Sequence, residues 1–182
     1  MRIFSAIRFL PSIACLITIS LASLIQAQES WRDLYQPQVF DGMPCRIMTP
    51  LTVDANKDYP VIVSLHGAGG KGNNNKKQLK DWNHQLADEQ RRKDFPCYVV
   101  APQADELWNS GHLRKIKGVI NTLTSVDMSR IYILGHSMGG HGTYIFTQID
   151  PEFFAAAAPS AGSGLRRSEP FINPEKIKDL PI

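Results

Sequence analysis

The sequence predicts an α/β domain in which a mostly parallel sheet carries helices on both faces. Two observations predict it. Short apolar, β-branched runs at residues 61–65, 97–101 and 131–134 read as buried strands. Stretches of helical character separate them, and no internal repeat or low-complexity linker breaks the alternation. A pair of shorter runs before residue 50 adds an antiparallel edge to that sheet.

The first residues stand apart from the domain. Arg2 and Arg8 make a basic start, residues 13–25 are nearly all apolar or small, and Ile25-Gln26-Ala27 resembles a small-residue cleavage site before Gln28. The apolar run is short for a membrane span. Residues 1–27 are therefore expected to be a secretory signal peptide, and residues 28–182 one exported domain, secreted or periplasmic, with no membrane span after cleavage. Removing the leader lowers the formal net charge from +3 to +1. Arg166-Arg167 and Lys76-Lys77 are pairs rather than patches, so no nucleic-acid partner is expected. Cys45 and Cys97 remain after cleavage, and neither sits at metal-site spacing.

In order along the chain, Val39-Phe40 and residues 45–48 flank the turn Asp41-Gly42-Met43-Pro44, which predicts a hairpin. Residues 61–65 follow Pro60 as the first buried strand. Residues 67–75 are a loop of glycines and asparagines. Residues 76–93 read as a helix, with Leu79, Trp82 and Leu86 on one side. The strand at 97–101 closes at Pro102. Residues 111–125 hold a second helix, because Ile116, Val119, Ile120 and Leu123 fall at helical spacing. The strand at 131–134 leads into a helix from Met138 that ends near Asp150-Pro151, and residues 153–159 read as a further buried strand.

The chemistry gathers at the exits of two strands, where open α/β sheets bind their ligands. Gly135-His136-Ser137-Met138-Gly139 matches G-x-S-x-G between a strand and a helix. A nucleophilic serine needs that context: an exposed hydroxyl on a sharp, strained turn, with glycines two residues to either side where side chains would strike backbone. The helix beginning at Met138 aims its amide dipoles at a developing oxyanion. Ser137 is the candidate nucleophile, Gly135, His136 and Gly139 support the turn, and the Met138 N–H is one oxyanion donor.

A second donor comes from the loop after an earlier strand. His66-Gly67-Ala68-Gly69-Gly70 supplies such a loop after residue 65. Ala68 is the expected donor, with Gly69 as the fallback. Gly67 and Gly69 let backbone approach the substrate, and His66 is expected to orient the loop rather than carry protons. The same loop formally matches a dinucleotide fingerprint at Gly67, Gly69 and Gly72. That reading fails because Asn73, Asn74 and Asn75 follow where a helix should open, and Asp88 and Glu89 lie within a helical pattern.

Taken together, these motifs resemble the α/β-hydrolase superfamily, and within it the secreted bacterial esterases of phospholipase/carboxylesterase or prolyl-oligopeptidase-like type. The carrying residues are Tyr59 to Gly69, Phe95 to Gln103, Arg130 to Gly140, and Phe153 to Ala156. The resemblance covers residues 35–182. It implies hydrolysis of a small ester or acylated substrate through an acyl-serine intermediate, with no metal and no organic cofactor. It places Asn73 and Trp108 in loops bordering the substrate cleft, and for Trp108 two outcomes stay open: lining the pocket, or plain packing. It makes the Cys45 and Cys97 strands neighbours, which leaves two outcomes open: a disulfide, or two small buried thiols.

The chain departs from the superfamily in one respect. The order there is serine, acid, histidine, yet only His141 follows Ser137, four residues on along the same helix. Residues 176–182 resemble the approach to another strand. The expectation is therefore a C-terminally truncated α/β-hydrolase domain of about six strands, inactive as it stands. A serine peptidase and a non-catalytic binding module remain as alternatives.

Overall fold

The computed structural model describes residues 30–162, 165–166, 169–170 and 172–182. The expected signal peptide lies outside them. Six strands form one sheet: β1 (Gln36–Phe40), β2 (Met43–Met48), β3 (Tyr59–Leu65), β4 (Tyr98–Pro102), β5 (Val126–His136) and β6 (Ala156–Ser160). Their spatial order is β1-β2-β4-β3-β5-β6. The β1–β2 and β2–β4 pairs are antiparallel, and the other three are parallel. The expected hairpin forms because Asp41 and Gly42 both take positive φ, 46° and 74°. Such a turn matches the right-handed twist of its flanking strands.

Side chains alternate across the sheet into two cores. Cys45, Ile47, Val61, Val63, Tyr98, Val100, Ile131 and Ile133 face one side with α3 (Ser110–Asn121) and α4 (Met138–Ile149). Met48, Val99, Ala101 and the partly buried Ile62 face the other, with Leu79, Leu86 and Ala87 around α1 (Asp81–Leu86). The near-continuous apolar runs of β3 and β4 follow from this two-sided burial.

Several boundaries move for local reasons. The single helix expected over residues 76–93 is two short helices, α1 and α2 (Glu89–Asp94). Asp88 interrupts them, accepting a hydrogen bond from the Arg91 amide (2.9 Å) as an N-cap. Residues 76–80 stay out of the helix because the Asn74 carboxamide takes the Lys76 and Lys77 amides (3.0 and 3.3 Å). Helix α3 starts at Ser110, where the Asn109 side chain accepts from Gly111 and His112. Strand β5 runs further back than expected, to Val126, across a register shift against β3. Residues 151–153 form a 3₁₀ turn, so β6 begins only at Ala156.

The cysteine strands are neighbours, but no disulfide forms. Cys45 pairs with Pro102 and Met48 with Val99, so antiparallel register carries Cys97 to the opposite end of the β2–β4 pair. At ~3.3 Å per residue, the five positions from Pro102 to Cys97 span ~17 Å. The two side chains also enter different cores, and both thiols are free. Burial pushes Cys45 up to about 12 and Cys97 up to about 11. At the far edge of the sheet, the Ala157 amide of β6 donates to the Pro181 carbonyl (2.9 Å).

Candidate active site

The site follows from one line of register. Leu65 pairs with Gly135 across the parallel β3–β5 ladder. The next residues, His66 with His136 and Gly67 with Ser137, therefore leave the sheet side by side. From β3 the chain crosses to β4 on one side, and β5 returns on the other side of β3. The crevice between these carboxyl ends is thus a topological switch point.

Ser137 occupies the elbow between β5 and α4 with φ 56° and ψ −117°. A residue with a β-carbon avoids that region unless its surroundings force it. The force comes from close backbone packing. A β-carbon on Gly135 would lie 2.4 Å from the Gly139 carbonyl carbon, and one on Gly139 would lie 2.3 Å from the Leu65 carbonyl oxygen. The Ser137 amide donates to Ser160 (2.9 Å), and its carbonyl accepts from His141 (2.9 Å), which starts α4. Met138 is the first residue of that helix. Neither its amide nor that of Ala68 donates to an acceptor among the described residues.

The β3 exit loop presses on the elbow. A β-carbon on Gly67 would meet the His136 carbonyl oxygen at 3.1 Å and Ser137 Cβ at 3.5 Å. Ala68 and Gly69 follow on the surface in a 3₁₀ turn, Ala68–Gly70. His66 is wholly buried beneath them. The Ala104 amide donates to its Nε2 (3.0 Å), so the ring proton sits on Nδ1 and donates to the Gly67 carbonyl (2.8 Å). Burial pushes His66 down to about 4. Both nitrogens are occupied and the ring is neutral, so His66 orients the loop.

Trp108 does not line an open cleft. It is 2% exposed, and its Nε1 donates to the His66 carbonyl (3.1 Å). Its ring packs against His66, His112 and Phe146, and over Gly142, where a β-carbon would come within 2.5 Å. It ties the β3 exit to α4 from below. Asn73 is exposed on the loop. Its neighbour Asn75 and the buried Gln103 hold the loop instead. Gln103 accepts from the Asn75 amide (2.6 Å) and donates to the Gly70 carbonyl (3.0 Å) and the Asn74 side chain (3.1 Å). Sequence reasoning passed over both, although a glutamine directly after a buried strand was a readable signal.

No histidine among the described residues hydrogen-bonds the Ser137 hydroxyl. His84 stacks on Trp31, His112 accepts from the Asn109 amide, and His136 Nδ1 lies 3.3 Å from Ser160 Oγ. Burial lowers the pKa of His112. No group of three His, Cys, Asp or Glu side chains among the described residues is placed to hold a metal ion. An apolar hollow of about 440 Å³ opens beside the elbow, lined by Trp82, Leu134, Gly135, His136, Ala158 and Ser160. A larger hollow of about 570 Å³ lies before β3 and β4, around Tyr59, Phe95 and Tyr132, away from Ser137.

No protein-family model matches the chain, and no curated protein matches it. Solved structures do. A thermostable esterase is 30% identical at a TM-score of 0.72, with 84% of this chain and 46% of that one covered. S-formylglutathione hydrolase from Staphylococcus aureus is 16% identical at a TM-score of 0.53, covering 80% and 61%. A fluorophosphonate-binding serine hydrolase from the same organism is 15% identical at 0.54, covering 70% and 55%. The chain thus spans about half the length of the thermostable esterase. The sheet order and these likenesses identify the fold as that of the α/β hydrolases.

Proposed function

We propose that this α/β-hydrolase chain carries the nucleophile of a serine esterase. The observation that carries the reading is Ser137 itself: φ 56° at the start of α4, with so little space beside it that a β-carbon on Gly67 would stand 3.5 Å from Ser137 Cβ. A strained serine, with the Met138 and Ala68 amides unbonded among the described residues, suits acyl transfer. The Ser137 oxygen attacks the ester carbonyl and its proton passes to a general base. The tetrahedral oxyanion is held by the Met138 and Ala68 N–H groups. Collapse expels the alcohol, which takes up that proton, and water then releases the acid and restores the serine. No step calls for a metal or an organic cofactor. The substrate is a small ester or acylated molecule, and Asn73, exposed on the Gly-rich loop, borders its cleft.

The proposed activity is that of the whole protein, because this chain spans 46% of the thermostable esterase. The Arg2 and Arg8 leader supports export, with the mature chain beginning at Gln28. The test is hydrolysis of p-nitrophenyl acetate and butyrate by the whole protein, beside Ser137→Ala and matched p-nitroanilide peptides. Ester turnover lost in Ser137→Ala supports the reading. Peptide turnover without ester turnover would replace esterase by peptidase.

A further inference from the structure

The mechanism leaves unused a lysine that lies beside the β3 exit loop. The Lys80 ammonium lies 4.0 Å from where a Gly69 β-carbon would sit, beside the loop that carries the Ala68 amide. Lys80 is half-buried at the start of α1. Every ion pair among the described residues involves other side chains, so no described carboxylate pairs with it. The Lys80 charge, after burial, also helps to lower the pKa of the neighbouring His66. The segment is cationic as a whole: Lys71, Lys76, Lys77 and Lys80 face one acid, Asp81, and the loop after β4 adds Asp105 and Glu106 nearer His112.

A partly desolvated ammonium without a counterion is unfavourable on its own and attractive to an incoming anion. A β-carbon on Gly67 would meet Ser137 and one on Gly69 would meet Lys80, and these two glycines are two peptide spans apart, at most ~8 Å between their Cα atoms. A single ammonium on a flexible stem suits a singly charged group. We infer that the ester cleaved at Ser137 carries a carboxylate, held by Lys80 beside the loop that carries the Ala68 amide. This substrate class rests on the serine-esterase reading. Only the ground-state and transition-state binding of the anion depends on Lys80; attack, oxyanion capture and leaving-group departure are unchanged.

The experiment uses the whole protein with two acetyl esters of one shape, 7-acetoxycoumarin and 7-acetoxycoumarin-3-carboxylate. A binding arm uses the ether 7-methoxycoumarin-3-carboxylate, which cannot be hydrolysed. The wild type should prefer the carboxylate ester in kcat/KM, and Lys80→Met should remove about 5–10-fold of that preference. The same variant should weaken ether binding by a similar factor and leave the neutral ester unchanged. Lys80→Arg should retain the preference, and Lys76→Met should not alter it. Equal losses on both esters would overturn the inference and make Lys80 a general electrostatic support. No preference in the wild type would overturn it too. If neither ester turns over, the esterase reading fails, and the ether decides alone: Lys80-independent binding, or none, overturns the anion site. If Lys80→Met does not fold, Lys80→Gln replaces it in every arm.

Discussion

Gly67 leaves room for Ser137: a β-carbon on Gly67 would stand 3.5 Å from Ser137 Cβ and 3.1 Å from the neighbouring His136 carbonyl. The backbone of Gly67 itself is extended, with φ −77°. Alanine can therefore adopt the conformation, and the cost falls on the gap between loop and elbow. Gly67→Ala is expected to lower stability by only about 1 kcal/mol while slowing ester hydrolysis by the whole protein about tenfold or more, since sub-ångström displacement of a donor weakens oxyanion capture. Equal activity at unchanged melting temperature would show that the loop is not so closely fitted.

Gly135→Ala is a different case. Its β-carbon would lie 2.4 Å from Gly139 backbone, which has no flexible end to move aside. Overpacking against backbone should cost about 3 kcal/mol or more. The expected outcome is aggregation on expression or a denaturant midpoint too low to measure. A soluble variant with a wild-type midpoint would contradict the tight elbow.

Trp108→Phe keeps an aromatic ring over Gly142 and removes one donor. The His66 carbonyl then loses its 3.1 Å partner, at a cost of about 1–3 kcal/mol for a buried unsatisfied acceptor. Chemical denaturation reads the loss, and the slope against denaturant should stay unchanged.

His66 also makes stability depend on pH. Its folded-state pKa of about 4 lies below the ordinary value of 6.5, so the unfolded chain binds more protons between those values. Stability is then fully present above the ordinary value and falls as pH drops towards the folded one. The total is on the order of 3 kcal/mol for this buried ring. Unfolding free energies measured across that window should show the slope, and His66→Gln should flatten it. A slope unchanged by the substitution would assign the effect to other groups.

The thiols give a simpler test. Cys45 and Cys97 should both alkylate in denaturant without prior reduction, and react slowly in the native protein, because burial raises both pKa values. A mass shortfall of two hydrogens on the unreduced chain would restore the disulfide.

How legible was all this in the sequence? The strands at residues 61–65, 97–101 and 131–134 were readable because burial on both faces makes them uniformly apolar. The elbow was readable because its glycines are forced by contacts with Gly139 and Leu65 backbone. Three things were not. The break at Asp88 depended on a cap competing with a good helical pattern. The separation of Cys45 from Cys97 depended on register, which adjacency in strand order does not reveal. Which of the two open outcomes Trp108 takes, packing beneath the loop or lining the cleft, depended on the size of the gap above Gly142.

The central claim is that Ser137 is the nucleophile, and one measurement tests it most directly. A fluorophosphonate probe is incubated with the folded whole protein and with residues 28–182, and the adduct is mapped by peptide mass spectrometry. The whole protein should carry one adduct, on Ser137, and lose it in Ser137→Ala. Residues 28–182 should label far more slowly, because His66, His84, His112 and His136 are engaged elsewhere and an oxyanion hole alone sustains only about 10³–10⁴-fold acceleration over water. A folded whole protein that takes up no probe, or takes it up at another residue, would contradict the account.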